Sequence, residues 1–288
     1  MCIFDFFKKK KKIEQKEIVL NEELKSEIMS LCRKEILINM NEFVKVSNPR
    51  CSKIGGKPFL PSNFVWPTLN DETATPLSFL CQINLEQINK YNSESLLPNS
   101  GMLYFFYECD SQNWSWGPDS KQTGNIRVYY YENIDGFVEF ELPIKLEQYN
   151  IIPEISINFS CRNSYPSYDE FTVFNDFDTD GEEYDYVLEN LGVDFNFDEI
   201  SKLLGYADII QNEMITECES SIREDDDTAD DEFNKSASEW ILLLQIGTIE
   251  KADFEMMFGD CGKLYFYIKK SDLLARNFDN VLCLLQCY

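Results

Sequence analysis

Histidine is absent from the 288 residues of the sequence. It is the commonest general base near neutral pH and the commonest ligand of catalytic zinc. Its absence excludes serine–histidine, cysteine–histidine and histidine–zinc catalysis. An enzyme with this sequence would have to use carboxylate, lysine, tyrosine or metal–oxygen chemistry.

Paired cysteine motifs are also missing. The ten cysteines include no Cys-x-x-Cys spacing, and the N-terminal residues do not resemble a secretory signal. Cys81 and Cys283 lie inside apolar runs, where a thiol behaves as a small buried hydrophobe. Cys283 and Cys287 are four residues apart, but no nearby spacing supplies further zinc ligands. We therefore expect free thiols in a reducing cytoplasm and no structural zinc.

Basic residues are scarce in one part of the chain. Residues 169–232 contain 23 acidic residues but only Lys202 and Arg223 as basic ones, so −21 of the formal net charge of −25 lies there. Such a field repels nucleic acid and anionic lipid and attracts basic partners. Two interpretations follow: a solvated acidic surface, or a site that contacts a basic protein.

The N-terminus has the opposite character. Residues 1–7 are largely apolar and residues 8–12 are all lysine. The apolar part is too short to cross a membrane. Because each lysine gains ~1 kcal/mol near anionic headgroups, peripheral membrane contact is one interpretation. A flexible, solubilising terminus over residues 1–16 is the other.

Residues 17–47 are predicted to form an N-terminal helix. Asn21 is a suitable N-terminal cap, and glutamates follow it in the first turn. The apolar residues recur at mostly helical spacing. They are Leu20, Leu24, Ile28, Leu31, Ile36 and Leu37. We expect this apolar face to pack on a sheet, with a partner-binding helix as the alternative.

The rest of the chain repeats a set of landmarks in the same order. Each set has a Ser-Lys pair leading to glycine, an apolar strand with a central glutamine, and a Gly-x-Leu-Tyr-Phe strand. Gln82 precedes Gly101 by 19 residues, and Gln245 precedes Gly262 by 17. The landmarks lie at residues 52–56, 79–83 and 101–107, and again at 201–205, 242–246 and 262–267.

This repetition predicts an α+β fold: a mostly antiparallel β-sheet built from two duplicated units, with an N-terminal helix and short connecting helices. We place the first unit at residues 48–160, and an acidic linker with the second unit at residues 161–288. Together they form one compact domain. Within it we predict helices at 182–191 and 197–204, and an exposed acidic insertion at 222–233. The predicted strands are 76–83, 101–109, 126–132, 137–141, 151–159, 240–246, 262–269 and 281–285.

Several of these motifs together resemble the bacterial YwqG-like family. The resemblance runs from Pro49 to the C-terminus, with Ala207 where the family more usually has proline. It implies a duplicated α+β fold, a cytoplasmic setting and no established activity. Genes of the family occur with toxin and immunity genes, which suggests protein binding. The matching segments are 54–61, 66–67, 80–83, 97–98, 101–106, 203–211 and 262–266.

Eight residues are candidates for binding. The two glycines permit positive φ or close backbone approach, although neither phosphate-binding glycine motif is present. The tryptophans either form a recognition surface or are buried at a sheet edge. The two glutamines either satisfy backbone groups of the glycine loops or line a groove between the repeats. The eight are Gly55, Gly56, Pro58, Trp66, Gln82, Trp114, Trp116 and Gln245.

One segment has half of a calcium-binding pattern. Asp176, Asp178 and Asp180 occupy the first three ligand positions of a calcium loop, and Gly181 occupies the turn position. Val187 stands where the bidentate glutamate is required. Two interpretations follow: an acidic loop without an ion, or a calcium site in another geometry. We expect no other cofactor.

These observations predict a non-catalytic, cytoplasmic protein-binding module, in one version associated with toxin immunity. Its partner would be a protein, in one version a basic one, and would not be nucleic acid. The alternative is a histidine-independent enzyme acting on a small molecule in the groove between the repeats.

Overall fold

The computed structural model describes residues 19–43, 48–70, 72–109, 118–120, 124–195, 200–223, 230–251 and 253–288. The predicted polybasic terminus, together with Trp114 and Trp116, lies outside these ranges.

The helices are α1 (Glu22–Ser30), α2 (Leu85–Ile88), α3 (Tyr168–Phe174), α4 (Gly181–Asn190), α5 (Ile215–Ser221), α6 (Asp230–Ala237) and α7 (Lys270–Leu274), with 3₁₀ turns at Asn89–Tyr91, Gln148–Asn150 and Phe278–Asn280.

The strands are short on average and spread along the chain. They are β1 (Arg33–Phe43), β2 (Lys53–Ile54), β3 (Phe59–Leu60), β4 (Ser78–Asn84), β5 (Met102–Tyr107), β6 (Asp119–Ser120), β7 (Ile126–Tyr131), β8 (Val138–Glu139), β9 (Ile155–Ser164), β10 (Lys202–Leu204), β11 (Trp240–Gly247), β12 (Ile249–Lys251), β13 (Phe254–Met256), β14 (Lys263–Lys269) and β15 (Leu282–Gln286).

Eleven strands of the described residues form one sheet in the order β6-β15-β14-β11-β10-β1-β9-β2-β4-β5-β7. Every neighbouring pair is antiparallel. The predicted α+β fold with an antiparallel sheet is therefore confirmed. We call β2, β4, β5 and β7 the first half, and β10, β11, β14 and β15 the second half. Strands β1 and β9 lie between them.

The predicted N-terminal helix over residues 17–47 is wrong beyond its first turns. Helix α1 is capped as expected, because Asn21 Oδ1 accepts a hydrogen bond from Leu24 N at 3.0 Å. It ends at Ser30, and the following segment is strand β1. Ile36 and Ile38 are buried on this strand, which pairs with both β9 and β10. Pairing on both sides outweighs the helical spacing of the apolar residues.

Two further predicted segments differ from the structure. Residues 202–204 of the predicted helix at 197–204 form strand β10, and residues 196–199 are outside the described ranges. The predicted insertion at 222–233 ends in a helix, because α6 begins at Asp230. The predicted helix at 182–191 corresponds to α4.

The two halves have the same pairing around a buried lysine. Lys53 on β2 is opposite Gln82 on β4, and Lys202 on β10 is opposite Gln245 on β11. Both lysines are almost completely inaccessible to solvent. A register shift precedes the glutamine in each half, on β4 and on β11. The same local geometry therefore occurs twice in the sheet.

The backbone enters the left-handed region two residues after each buried lysine. Gly55 has φ +60° in the first half, and Leu204 has φ +60° in the second. A Cβ on Gly55 would lie 2.4 Å from the backbone oxygen of Ile152. Glycine is thus required at position 55 because the backbone of Ile152 comes so close. In the second half, Leu204 adopts a left-handed conformation that is costly for leucine.

The sheet curls so that its two halves share one core. Phe105 and Phe266 stack edge-to-face with ring centroids 5.3 Å apart. Near the outer edge of the first half, Tyr130 lies 5.4 Å from the ring of Phe278. Helices α1, α3 and α4 pack together outside the sheet around a separate apolar cluster.

Lys202 is the centre of a buried ionic cluster. Its ammonium lies 2.8 Å from Glu35 Oε2 on β1 and 2.6 Å from Asp208 Oδ1. Arg162 on β9 also pairs with Glu35. Burying these charges is tolerable only because each has partners of opposite sign.

Replacing Lys202→Met should lower the free energy of unfolding by about 3–5 kcal/mol, because it removes the cation paired with buried Asp208 and leaves Glu35 with Arg162 alone. Urea denaturation monitored by circular dichroism measures this. Lys57→Met is the matched control, since Lys57 pairs with Glu141 at the exposed surface. This substitution should lower the free energy of unfolding by less than about 1 kcal/mol. Equal losses in the two variants would contradict this account of the cluster.

Candidate functional site

The two candidate glutamines are fully buried and bonded to backbone groups of their own loops. Gln82 Oε1 accepts from Phe59 N at 3.1 Å, and Gln82 Nε2 donates to Cys51 O at 2.8 Å. Gln245 Oε1 accepts from Asp208 N at 3.0 Å, and its Nε2 donates to Ile200 O at 2.8 Å. These bonds match the interpretation in which glutamine satisfies the loop backbone.

Among the described residues the two glutamines do not line a shared groove, which was the alternative interpretation. Their strands, β4 and β11, are separated in the sheet by β2, β9, β1 and β10. Neither side chain has solvent-accessible surface.

The other candidates of the first loop also have structural contacts. Pro58 is buried, and its carbonyl oxygen accepts from Phe140 N at 2.8 Å. Trp66 is half-buried, and its Nε1 donates to Leu77 O at 2.8 Å. Gly56 has φ +67°, which extends the turn begun by Gly55. The loop is thereby fixed against the outer face of the first half.

The three aspartates of the calcium pattern are exposed and lie just before α4. Asp180 caps that helix, since its Oδ1 accepts from Glu183 N at 2.9 Å. Within the described ranges no three side chains of the metal-ligating types converge. Asp176 and Asp178 precede the cap in the same loop.

A cleft beside the second half is the most distinctive feature that sequence reasoning missed. It has a volume of about 200 Å³ and lies where the start of β1 meets α3, the loop after β10, and the start of β11. Its lining includes Arg33, Glu170, Phe171, Tyr206, Ile215 and Trp240.

Glu170 is the most unusual side chain of this cleft. It lies in the first turn of α3, where Ser167 Oγ accepts from Glu170 N at 3.1 Å. Only 4% of the residue is exposed, and its Oε2 has no hydrogen-bond partner among the described residues. An unsatisfied buried oxygen costs about 1–3 kcal/mol, so its position requires an explanation.

Burial raises the pKa of Glu170 to about 7. That value already includes the nearby carboxylate of Glu213, which raises the pKa, and the cations of Arg33 and Lys202 and a backbone hydrogen bond from Ser167, which lower it. The carboxyl group is thus divided between neutral and charged forms near neutral pH, as general acid–base groups and ligand counter-ions often are.

Arg33 brings a positive charge to the same cleft. Its guanidinium carbon lies 4.3 Å from the centre of the Tyr206 ring, a cation–π contact. Tyr206 is held in place because its hydroxyl donates to Leu31 O at 2.8 Å. The described residues place no carboxylate within ion-pair distance of Arg33. A second cavity of about 120 Å³ shares Arg33 and Ser238 with the cleft.

The sequence contained one signal for this site. Ser167 and Glu170 have the Ser-x-x-Glu spacing of a capping box, which places a glutamate in the first turn of a helix. Nothing in the sequence pairs that glutamate with Arg33, which is 137 residues earlier in the chain.

Comparison with known proteins assigns the chain to a family. The sequence model of a family described as a domain of unknown function, DUF1963, matches residues 52–287. The chain belongs to the DUF1963 family. The matched region contains both halves of the sheet and Glu170, whereas Arg33 precedes it. No curated protein matches the chain.

The helices in the described ranges lack the combination of length and apolar composition needed to cross a bilayer.

Glu170→Gln should change stability in a pH-dependent way. A carboxyl whose pKa is raised in the folded state stabilises the fold below its ordinary pKa and loses this contribution as pH rises through about 7. Glutamine stays neutral at all these pH values. The free energy of unfolding of the variant, relative to that of the wild type, should therefore rise by roughly 2–3 kcal/mol from about pH 5 to about pH 8. Urea denaturation at both pH values measures the gain.

Glu182→Gln on the exposed face of α4 is the control for loss of one negative charge. A difference between Glu170→Gln and wild type that does not change with pH would contradict the titration of Glu170 in this range.

Proposed function

We propose that this DUF1963 protein is a non-catalytic, cytoplasmic binding module whose partner is a protein with a basic surface. The observation that carries this proposal is the charge of the layer formed by α1, α3, α4 and residues 175–180, which we call the acidic layer. In the described residues of these segments, Lys25 is the one basic side chain. The exposed carboxylates are those of Glu22, Glu23, Asp169, Asp176, Asp178, Asp180, Glu182, Asp185 and Glu189.

Repulsion within the acidic layer supports a basic partner. Burial raises the pKa of Asp185, and the carboxylates of Glu189 and Asp169 raise it further. Like charges held this close raise the free energy of the free protein. A partner that supplies lysine or arginine would relieve the repulsion and would be attracted over a distance at low salt.

The motifs described above lead us to propose further that the chain is YwqG-like within its family, and associated with toxin immunity. We also propose that the two halves are copies of one unit. Equivalent hydrogen bonds support this: Ser52 Oγ accepts from Asn84 N at 2.8 Å, and Ser201 Oγ accepts from Gly247 N at 3.1 Å. The peripheral membrane contact of residues 1–16 stays a prediction.

A second candidate function, histidine-independent catalysis on a small molecule, is favoured by one observation. The pKa of Glu170 is raised to about 7, and a carboxyl group with such a pKa can both donate and accept a proton near neutral pH. The cleft, rather than a groove between the halves, would be its active site.

The binding proposal predicts that neutralising the acidic layer weakens partner capture. The triple variant Glu182→Gln, Asp185→Asn, Glu189→Gln should recover at least about tenfold less of a stoichiometric basic partner than wild type, and the capture by wild type should fall with added salt. Native capture followed by quantitative mass spectrometry measures both effects.

The matched control removes three negative charges from the first half instead, at the exposed residues Glu132, Asp135 and Glu141. This control should retain the partner. Equal recovery by wild type and the acidic-layer variant would exclude the proposed surface.

The catalytic candidate makes a separate prediction. If Glu170 transfers protons, the wild-type protein should deplete a compound from a metabolite extract. The rate of depletion should be at least about a hundredfold lower for Glu170→Gln and unchanged for Glu189→Gln. Depletion that survives in Glu170→Gln would rule out this residue as the acid or base.

A further inference from the structure

The cleft at Glu170 has two charged groups of opposite sign. Glu170 and Arg33 both line it: Glu170 Oε2 is buried and has no hydrogen-bond partner among the described residues, and the Arg33 guanidinium lies over the Tyr206 ring. A ligand bearing only a cation would be repelled by Arg33. A ligand bearing only an anion would be repelled by ionised Glu170. A ligand that carries both signs satisfies both groups.

The remainder of the cleft is largely apolar. Phe171, Ile215 and Trp240 form part of its wall, and the ring of Trp240 is fixed because Nε1 donates to Glu219 Oε2 at 2.9 Å. Its volume of about 200 Å³ sets the size of the ligand. An apolar cavity of about 150 Å³ holds a benzene-sized molecule, so this cleft is large enough for one small molecule but too small for a nucleotide.

We propose that the cleft binds a free α-amino acid with an apolar side chain, its ammonium at Glu170 and its carboxylate at Arg33. The ammonium donates to Glu170 Oε2, which supplies the partner that this oxygen lacks. Arg33 can bind a carboxylate through two parallel N–H donors. The ligand's side chain lies against the apolar wall.

The test uses the full chain with L-leucine, L-valine and L-phenylalanine as probes. Thermal shift and isothermal titration should show saturable binding of at least one of them at millimolar concentration. For leucine, two analogues separate the charged contacts. Isocaproate lacks the amine and isoamylamine lacks the carboxylate. Each should bind at least about tenfold more weakly than leucine.

Two variants locate the site. Glu170→Gln and Arg33→Met should each weaken leucine binding at least about tenfold, while Glu86→Gln at an exposed position of α2 should leave it unchanged. The analogue series on the wild-type protein does not depend on whether either variant folds. The amino-acid assignment is overturned if none of the three probes binds, if either analogue binds as tightly as leucine, or if binding survives both cleft variants.

This inference does not rest on the basic-partner proposal. Loss of partner capture is measured with variants of the acidic layer, whereas amino-acid binding is measured with purified chain alone. Each can therefore fail without the other.

Discussion

The ammonium group of a buried lysine is neutralised at the centre of each half, and much of the structure depends on these two ion pairs. Lys53 lies 2.6 Å from Glu154 Oε2, and Lys202 lies 2.8 Å from Glu35 Oε2. Glu154 immediately precedes β9, and Glu35 belongs to β1, so each lysine is paired by one of the two central strands. A charge without such a partner would be too costly to bury.

The connectivity makes the two halves interdependent. Strand β1 precedes the first half in the chain but pairs with β10 of the second, and β9 precedes the second half but pairs with β2 of the first. One of the two carboxylates paired with Lys202, that of Glu35, therefore comes from a strand that precedes the first half in the chain. If the chain were divided between the halves, Lys202 would retain Asp208 but would lose Glu35.

The same crossing explains where the cleft lies. Strand β1 brings Arg33 to the second half, and the end of β9 leads directly into α3 with Glu170. Gly205 permits the close contact between these elements, because a Cβ there would lie 2.7 Å from the Cβ of Glu35. The tight packing leaves Glu170 buried, with the nearby cations of Arg33 and Lys202 opposing the rise in its pKa. The acidic layer outside the cleft is made by α1, which precedes β1, and by α3, α4 and residues 175–180, which follow β9.

Local sequence determined the strands with consecutive aromatic or aliphatic residues, such as β5 and β14, and the capping of α1 by Asn21. It also determined the acidic charge of residues 169–232 and the absence of histidine chemistry. Helical spacing misled the prediction for Ile36 and Leu37, because the sheet on both sides of β1 supplies hydrogen bonds that spacing does not reveal. Only the tertiary structure decided that Gln82 and Gln245 each bond the backbone of a different loop, and that Arg33 and Glu170 share a cleft. Those outcomes depend on pairing between residues distant in the chain, which no local pattern encodes.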